Sequence, residues 1–337
     1  MILNYNGAGF IERCLESVLE TDSLFFEVIF VDNASTDGSV DTAKELFEEN
    51  PYIRIILNDE NLGFAKGNNL ALEHAKGDYI VFLNNDTEVA KNWLKELVDV
   101  LKSSPRIGAV QPKLLKLHDH KRIDSTGGFF DFLGYAYVRG EGELDKRQYD
   151  HSREIFYADG ASLAIKRSAI DETRLNGAVF DPDYFAYYED SDLCWRLRLR
   201  GYRIVFVPTS VVYHARSASK GLPLKLAFHS TKNHIATLIK NYGLGKLVKY
   251  IFPLLTFESV RALVFLKWRR LGHFWAMMRA ILWNLKNLKK TWKKRQIVQY
   301  LIRKTPDALT MEQMNKIRLI DLYSHFKSLH NVSHGEN

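Results

Sequence analysis

The hydrophobic pattern of residues 1–110 alternates short β-branched runs with stretches in which apolar side chains recur at helical spacing. This alternation is typical of a parallel sheet whose strands are connected by crossover helices. It predicts strands at residues 2–5, 27–32, 53–58 and 79–84, with a helix between each strand and the next. The fold class predicted for this part of the chain is therefore α/β.

A polar loop follows each of the four predicted strands. The loop sequences are NYNG, VDNASTDGS, NDENLGFAKGNN and NNDTE. Parallel strands end at the same edge of a sheet, so these loops should meet at the carboxyl edge, where open α/β sheets bind their ligands. The apolar run of residues 79–83 accordingly stops at Asn84, Asn85 and Asp86, where a ligand crevice is expected.

The pattern then becomes less regular and finally purely helical. Two further strands are predicted at residues 158–166 and 203–207. The stretch YYEDSDLCWRLRLRG is predicted as a helix that begins with acidic side chains, ends with basic ones and is capped by Gly201. We therefore expect an α/β domain over residues 1–220 and a basic, amphipathic helical region over residues 221–337.

The formal net charge of +7 is unevenly distributed. Between Lys220 and Lys304 the chain has nineteen Lys and Arg residues and a single acidic residue, Glu258, so the rest of the chain is acidic. A basic region of this kind indicates a polyanionic partner, either nucleic acid or an anionic membrane surface. Cys14 and Cys194 have no metal-type spacing and no secretory leader pattern opens the chain, so we expect a cytoplasmic protein.

The helical region contains an apolar stripe on a basic background. Ile281, Leu285, Leu288 and Trp292 recur at helical spacing. The lysines that surround them are Lys286, Lys289, Lys290, Lys293 and Lys294. Charged residues interrupt the apolar stretch at 247–270, so a clean membrane span of about 20 residues is absent. The pattern indicates either an interfacial helix on the inner face of the cell membrane or a subdomain packed on the core with a solvated basic face.

Acidic side chains stand at the ends of two predicted strands. Asp86 follows the strand at 79–84 and serves either as a helix N-cap or as a ligand of a hard divalent cation. Asp32 ends the strand at 27–32 and either sets the turn or accepts hydrogen bonds from a base or ribose. Tyr5, at the end of the first strand, offers a ring on which a base can stack.

A second acidic group and a histidine lie farther along the chain. Glu189, Asp190 and Asp192 fall within four residues. Either their repulsion raises one pKa, or a bound cation keeps them ionised, or they form a negatively charged first helical turn. His214 is a structural residue or, beside a carboxylate ligand such as Asp86, a second metal ligand. Neither GxxxxGK[ST] nor GxGxxG occurs, so a nucleoside diphosphate bound here would need a metal ion to neutralise it.

Six motifs occur in an order that resembles a known family. They are ILNYNG, VDNASTDGS, NLGFAKGNN, LNNDTE, GASLAIKR and YYEDSDLCWRLRLRGYRIVFVPTSVVYH. From residue 1 to about residue 220 the chain resembles the family 2 inverting glycosyltransferases of the GT-A fold, in particular the rhamnosyltransferase-like branch. The resemblance implies a Rossmann-like, mixed but mainly parallel sheet with helices on both faces, here followed by a C-terminal helical extension.

The resemblance also implies roles for individual residues. Those implied to hold a nucleoside-diphosphate sugar are Tyr5, Asp32, Lys66, Asn68, Asn85 and Gly160. Asp86 would bind Mg²⁺ or Mn²⁺ with His214 as a second ligand, although Asn84 replaces the first Asp of the family's DXD motif. Asp190 would be the catalytic base that deprotonates the acceptor hydroxyl. The other catalytic candidates, which would orient the acceptor or tune that base, are Glu189 and Asp192.

The predicted reaction is metal-dependent inverting transfer of a sugar. The donor would be dTDP- or UDP-linked, with rhamnose among the candidate sugars, and the acceptor would be a hydroxyl of a lipid-linked glycan or polysaccharide. A nucleotidyltransferase on a similar fold stays open as an alternative, and it would release pyrophosphate instead of a nucleoside diphosphate. A nucleic-acid-binding protein would use the basic helical region, but acidic clusters at strand ends repel phosphates, so we expect no nucleic acid partner.

Overall fold

The computed structural model describes residues 1–22, 25–216, 223–307 and Met314, and a mixed β-sheet lies at its centre. The strands are β1 (Ile2–Asn4), β2 (Val28–Asp32), β3 (Ile53–Leu57), β4 (Tyr79–Asn84), β5 (Thr87–Val89), β6 (Ile107–Lys116), β7 (Asp119–Ser125), β8 (Gly128–Phe130), β9 (Ala136–Val138), β10 (Arg153–Glu154), β11 (Ser162–Lys166) and β12 (Arg203–His214). The helices are α1 (Ile11–Leu19), α2 (Ser39–Phe47), α3 (Gly63–His74), α4 (Trp93–Lys102), α5 (Arg167–Asp171), α6 (Glu189–Arg200), α7 (Leu224–Asn241), α8 (Leu244–Lys267), α9 (Leu271–Lys286) and α10 (Leu288–Gln296), followed by a π-helical turn at Ile297–Ile302.

One half of the central sheet is parallel. Its order is β4-β1-β2-β3, and each neighbouring pair runs in the same direction, with Leu3 opposite Val31. The loops after these strands therefore meet at one carboxyl edge, as the sequence predicts. The other half is mixed, because β11 runs antiparallel to β4 and β6 while β12 runs parallel to β6. Most strands thus point the same way, and the predicted mixed, mainly parallel sheet is confirmed.

Helices cover both faces of the sheet, as the resemblance implied. On one face, α1 and α4 bury Leu15 and Leu97 in the same cluster as the strand residue Phe30. On the other face, α6 buries Trp195 in the same cluster as Phe82. Because β2 and β4 are covered on both sides, their sequences are continuous apolar runs with no polar alternation.

The strand predicted at residues 158–166 begins later, at Ser162. Asp159 folds the chain into a turn before the strand, since its Oδ1 accepts from the N–H of Ala161 (2.9 Å) and its carbonyl accepts from the N–H of Ser162 (3.2 Å). Because β11 is antiparallel to β4, this turn lies at the carboxyl edge beside the end of β4. The shortened strand therefore places two loop residues, Asp159 and Gly160, at the ligand edge.

The strand predicted at residues 203–207 is longer, because it continues to His214. Pro208 removes a backbone donor, which made a strand end there plausible from the sequence. The register against β6 shifts between Val207 and Val211, and such a bulge accommodates a proline inside a sheet. The continuation of β12 past the bulge carries His214 to the carboxyl edge.

The helices after β12 share the hydrophobic core of the sheet. Leu238 of α7, Tyr242 directly after α7 and Leu254 of α8 are buried in one cluster with Phe156 and Trp195. α7 packs against α6, α8, α9 and α10, so the helical region and the sheet form one folded unit. Among the described residues, no helix combines the length and the apolar character that crossing a membrane requires.

Candidate active site

Three loops at the carboxyl edge are tied together by the buried side chain of Asn4, the last residue of β1. Its amide donates to Asp32 Oδ1 (2.7 Å) and Ser39 Oγ (2.8 Å), and its Oδ1 accepts from the amide of Asn85 (2.7 Å). A Cβ on Gly7 would lie 2.2 Å from Asn85 Nδ2, so the glycine at this position lets the first loop approach the network closely. The edge is thus a preorganised polar surface.

Asp32 and Tyr5 occupy different environments at this edge. Asp32 is buried, its Oδ1 accepts from the hydroxyl of Ser35 (2.6 Å), and its Oδ2 accepts from the N–H of the same residue (2.8 Å). The carboxylate therefore sets the turn after β2, which is one of the two roles considered from the sequence. Tyr5 is 50% exposed in the neighbouring loop, where its ring is accessible to a base.

Three other donor-binding candidates lie at the start of α3 and just before β11. Lys66 is exposed on α3, whereas Asn68 is buried and donates to the carbonyl of Phe64 (3.1 Å). Gly160 donates its N–H to Asp190 Oδ2 (2.8 Å). A Cβ on Gly160 would lie 3.3 Å from that oxygen, closer than ordinary van der Waals contact, so glycine lets the backbone approach the acidic group.

Asp86 and His214 are brought together by the pairing of β12 with β5. His214 lies opposite Thr87, and its Nε2 is 3.3 Å from Asp86 Oδ1. On the other side of the ring, His214 Nδ1 is 2.9 Å from Asp124 Oδ2. Burial alone would lower the pKa of His214, but the hydrogen bonds to Asp124 and Asp86 outweigh burial and raise this pKa to about 9. Without a bound metal ion, the protonated ring thus links the two carboxylates at neutral pH, and His214 would have to release its Nε2 proton to bind a cation.

The separation of Asp86 and His214 matches that of two ligands of one cation. Ligand atoms about 2.1 Å from a metal ion lie about 3.3 Å apart at an angle of about 104°, and the observed separation is 3.3 Å. A carboxylate such as Asp124 on the other ring nitrogen is the usual partner that orients a metal-bound histidine. In the part of the chain that the structure describes, no group of three or more His, Cys, Asp and Glu residues is placed to hold a metal ion. The pair fits an open site, in which the other positions around a cation would be left to ligands from outside the protein.

Asp190 lies in the first turn of α6, and both of its carboxylate oxygens are held by hydrogen bonds. Oδ2 accepts from Gly160 N–H, and Oδ1 accepts from the N–H (2.5 Å) and the hydroxyl (2.9 Å) of Ser191. Burial raises the pKa of Asp190 to about 6, and repulsion by Asp159 adds to the shift. A carboxylate with this pKa is ionised at pH 7 and is a better proton acceptor than an ordinary aspartate.

Arg216 connects the surroundings of His214 with those of Asp190. Its Nε is 2.5 Å from Asp124 Oδ1. Burial would lower the pKa of Arg216, but the charges of Asp124, then Glu141 and Asp159, outweigh burial and raise it. Asp159 is also the residue whose charge adds to the raised pKa of Asp190. The charge of Asp159 therefore acts both on Arg216, which contacts the partner of His214, and on the candidate base Asp190.

Glu189 is buried beside Asp190 and follows two residues with strained backbones. Burial and the charge of Asp190 raise the pKa of Glu189 well above its usual value, which favours the neutral carboxyl group. Tyr187 and Tyr188 have φ angles of 72° and 69°, in the left-handed region that bulky residues rarely adopt. The amide of Asn233 on α7 donates to the carbonyl of Tyr187 (2.7 Å). The helical region thus holds the turn that presents the two carboxyl groups.

Asp192 is not brought to this edge. It is fully buried, its carboxylate pairs with Arg196 Nε (3.1 Å) and Lys240 Nζ (3.0 Å), and it accepts from the amide of Asn241 (2.9 Å). Orienting an acceptor or tuning the base would require an oxygen that faces the site. The position of Asp192 does not support the catalytic role predicted for it, and its contacts instead join α6 to α7.

The Asp192→Ala variant is expected to lose about 3–5 kcal/mol of its free energy of unfolding, because Arg196 and Lys240 would stay buried without a counter-charge. Urea unfolding measures this loss. Asp99→Ala is the matched control, since Asp99 forms an exposed pair with Lys95 on α4 and should cost less than about 0.5 kcal/mol. Equal losses in the two variants would contradict the structural role of Asp192.

Several residues of this site were not predicted from the sequence. They are Asn4, Asp124, Asp159, Arg216 and Asn233. Asp159 precedes Gly160 and Arg216 follows His214 by two residues, so their closeness to predicted site residues could have indicated both of them. Asn4 lies inside the motif ILNYNG, whereas Asp124 and Asn233 lie outside the motifs, and only the fold brings these two to the site.

Comparison with known proteins identifies the family. Residues 1–172 of the 337 match the family described as Glycosyl transferase family 2. The N-acetylglucosaminyl-diphospho-decaprenol L-rhamnosyltransferase of Mycobacterium tuberculosis is 27% identical over 259 residues, which cover 70% of this chain and 81% of that protein. The protein y4gI of Sinorhizobium fredii is 29% identical over 207 residues, which cover 58% of this chain and only 22% of that longer protein.

Solved structures share the fold at lower identity. GalNAc-T7, solved with UDP, GalNAc and Mn²⁺, has a TM-score of 0.58 at 18% identity, covering 85% of this chain and 56% of that one. The mannosyltransferase PcManGT from Pyrobaculum calidifontis, solved with GDP-Man and Mn²⁺, has a TM-score of 0.55 at 20% identity, covering 100% of this chain and 85% of that one. These similarities confirm the GT-A fold. The chain belongs to glycosyl transferase family 2.

Proposed function

We propose that this glycosyltransferase moves a sugar from a nucleoside-diphosphate donor to an acceptor hydroxyl, with inversion at the anomeric carbon and with Mg²⁺ or Mn²⁺. The observation that carries the proposal is that a carboxylate with a pKa of about 6, Asp190, is hydrogen-bonded to Gly160 at the same carboxyl edge of the sheet where Asp86 lies beside His214. An alcohol needs a base to become a nucleophile, whereas the sugar phosphate that attacks in a nucleotidyltransferase is already ionised. A carboxylate base with a raised pKa therefore favours sugar transfer over nucleotidyl transfer.

The donor would lie along the carboxyl edge. The base of the nucleotide would stack on the exposed ring of Tyr5 and hydrogen-bond near Asp32, at the end of β2. Lys66 and Asn68 at the start of α3 would lie close to the nucleotide, and Asn85 would contact it next to Asp86. The sugar would rest against the backbone at Gly160, where no side chain separates it from Asp190.

The acidic residues would divide the chemistry between them. A divalent cation held by Asp86 and His214 would supply Lewis-acid stabilisation of the charge on the leaving diphosphate. Asp190 would accept the proton of the acceptor hydroxyl as that oxygen attacks the anomeric carbon from the opposite face. Glu189, whose raised pKa favours the neutral carboxyl group, would donate a hydrogen bond that orients the acceptor. Gly160 N–H and Ser191 would keep the carboxylate of Asp190 in position throughout.

The acceptor that we propose is a lipid-linked glycan or a polysaccharide, met on the inner face of the cell membrane. The name of the Mycobacterium tuberculosis relative describes a rhamnosyltransferase whose substrate carries a sugar on diphospho-decaprenol. Its similarity to most of this chain supports a lipid-linked acceptor. We therefore propose a dTDP- or UDP-linked donor, with rhamnose as the first sugar to examine.

The pH dependence of kcat should report the raised pKa of Asp190. Below pH 6 this carboxyl is protonated and cannot accept a proton, so kcat is expected to fall about tenfold for each pH unit. Above pH 6 it is ionised, and kcat should reach a plateau at neutral pH. Measuring kcat between pH 4.5 and 7.5 at saturating donor and cation, with circular dichroism confirming the fold at each pH, checks this profile. A flat profile through pH 6 would contradict the role of Asp190.

A donor screen tests the reaction itself. The full chain is incubated with dTDP-rhamnose and with UDP-sugars, Mn²⁺ and a short polyprenyl-diphosphate-linked GlcNAc, and the released phosphates are identified. We expect a nucleoside diphosphate, acceptor-dependent turnover and loss of turnover after chelation. Release of pyrophosphate from a nucleoside triphosphate and a sugar phosphate would instead establish the nucleotidyltransferase alternative.

A further inference from the structure

The helices α8 and α9 expose an unusual number of apolar side chains. Ten of the twenty-one large hydrophobic residues that are exposed in the described part of the chain lie on these two helices. Soluble monomers expose single hydrophobic residues everywhere, but a concentration of this kind marks a site of interaction. The arrangement of these side chains on each helix shows which faces are involved.

On α8 an exposed apolar face is present in addition to the buried face, which is itself largely apolar and includes Leu247, Leu254 and Phe265. Leu244, Val248, Phe252 and Leu263 follow one another along a face that is more than half exposed at each position. The opposite face is buried and contains the charged residue Glu258. A helix that is apolar on both faces is normally buried all round, so the exposed outer face of α8 is suited to a contact outside the chain.

On α9 a second exposed face continues the apolar surface after the turn between the helices. Leu271, Trp275, Leu282 and Leu285 recur at spacings of three, four and seven residues, and each is about half exposed or more. The inner face of the same helix buries small side chains, including Ala280. α8 and α9 pack against each other, so the two outer faces belong to one hairpin.

The exposed charged side chains around these faces are all basic. The basic side chains exposed on the hairpin are Lys249, Lys267, Arg269, Arg279 and Lys286. Glu258 is the only acidic residue between Lys220 and Lys304, and it is fully buried, where it pairs with Arg261 (2.9 Å) and accepts from Tyr135 (2.7 Å). The outer surface of the hairpin therefore combines apolar character with uncompensated positive charge.

We propose that the outer faces of α8 and α9 dock on an anionic lipid bilayer. The apolar side chains would enter the headgroup region, and the basic side chains would pair with lipid phosphates, which is how amphipathic helices lie in a membrane interface. Trp275 has the amphipathic ring that is favoured at this depth. A second copy of the chain is a poorer partner for this surface, because it would bring five positive charges against five others.

The location of this surface suits the proposed function. The inference rests on that function only for the lipid-linked acceptor. α8 contacts the catalytic region through its inner face, since Glu258 Oε1 lies 3.3 Å from His234 Nδ1 on α7. The same turn of α7 contains Asn233, which holds the turn before Glu189. A docked hairpin would therefore keep the active site close to the bilayer that carries the acceptor.

Vesicle co-sedimentation of the full chain tests the docking surface without any sugar substrate. Vesicles of phosphatidylcholine with about a third phosphatidylglycerol should bind the protein, and pure phosphatidylcholine should bind it far more weakly. Each basic side chain near the surface is worth about 1 kcal/mol, or about fivefold in affinity. The double variant Lys267→Gln with Arg269→Gln should therefore weaken binding to the anionic vesicles by about 25-fold.

A second pair of variants examines the apolar faces. Phe252→Asp with Trp275→Asp should reduce binding to anionic vesicles at least tenfold, whereas the matched control Leu46→Asp, on the exposed face of α2, should not. Both side chains of the pair are more than half exposed, so the variant should keep the thermal unfolding midpoint of the parent. Unchanged vesicle binding in this variant, or a dimer that the variant dissociates, would overturn the proposal. Vesicle binding needs no turnover, so its failure and a failure of the sugar-transfer reaction are separate results.

Discussion

The Asp190→Asn variant is expected to retain donor binding and to lose about 100-fold to 10,000-fold in kcat, because an amide cannot accept the proton of the acceptor hydroxyl. The KM for the donor should change little, since Asp190 contacts the backbone at Gly160 and Ser191 and would act only as the acceptor attacks. Nucleoside diphosphate release at saturating donor and acceptor measures the loss.

A pH profile and a control variant show whether the loss of kcat in Asp190→Asn is due to the loss of the base. The variant should have no inflection in kcat near pH 6, because the group responsible for it is gone. Asp99→Asn on the exposed face of α4 is the matched control and should keep the kcat of the parent. A variant at Asp190 that turned over within threefold of the parent would require another base, and the assignment of this residue would be wrong.

The Asp86→Asn variant is expected to lose on the order of 100-fold or more in kcat/KM at a fixed Mn²⁺ concentration, since stabilising the leaving diphosphate is worth several kcal/mol. A neutral amide is a weaker ligand for a hard cation than a carboxylate. The loss should therefore be partly recovered at high Mn²⁺. Titrating nucleoside diphosphate release with Mn²⁺ measures the shift in the half-saturating concentration.

The matched control for this variant lies at the other end of the same strand. Asp78 precedes β4 and is exposed at the opposite edge of the sheet, so Asp78→Asn should leave the Mn²⁺ titration unchanged. Direct binding of Mn²⁺ followed by electron paramagnetic resonance, without sugar substrates, separates a loss of metal binding from a loss of chemistry. Equal Mn²⁺ titrations for Asp86→Asn and the parent would contradict the role of Asp86 as a ligand.

The sheet and the edge that holds the site were predictable from the sequence because they depend on local patterns. Continuous apolar runs mark the buried strands, and the polar residues after them must meet at one edge when the strands are parallel. Tyr5, Asp32 and Asp86 are found at that edge for this reason. The pairing of β12 with β5 was less accessible, since the bulge at Val207–Val211 extends the strand past a proline.

What the sequence could not supply is the second layer of contacts. Asp124 approaches His214 across 90 positions of the chain, and Asn233 reaches the carbonyl of Tyr187 from a helix outside the motifs. The acidic triplet shows the same limit. Spacing alone made Asp192 equivalent to Asp190, but helical geometry turns its side chain toward Lys240, into the core.

The anomeric configuration of the product tests the central claim most directly. In the proposed reaction, an acceptor oxygen deprotonated by Asp190 displaces the diphosphate from the opposite face in one step. Proton NMR of the product from a donor of known configuration should therefore show inversion at the anomeric carbon. Retention of configuration would contradict a single displacement and, with it, the arrangement of base and leaving group proposed for this site.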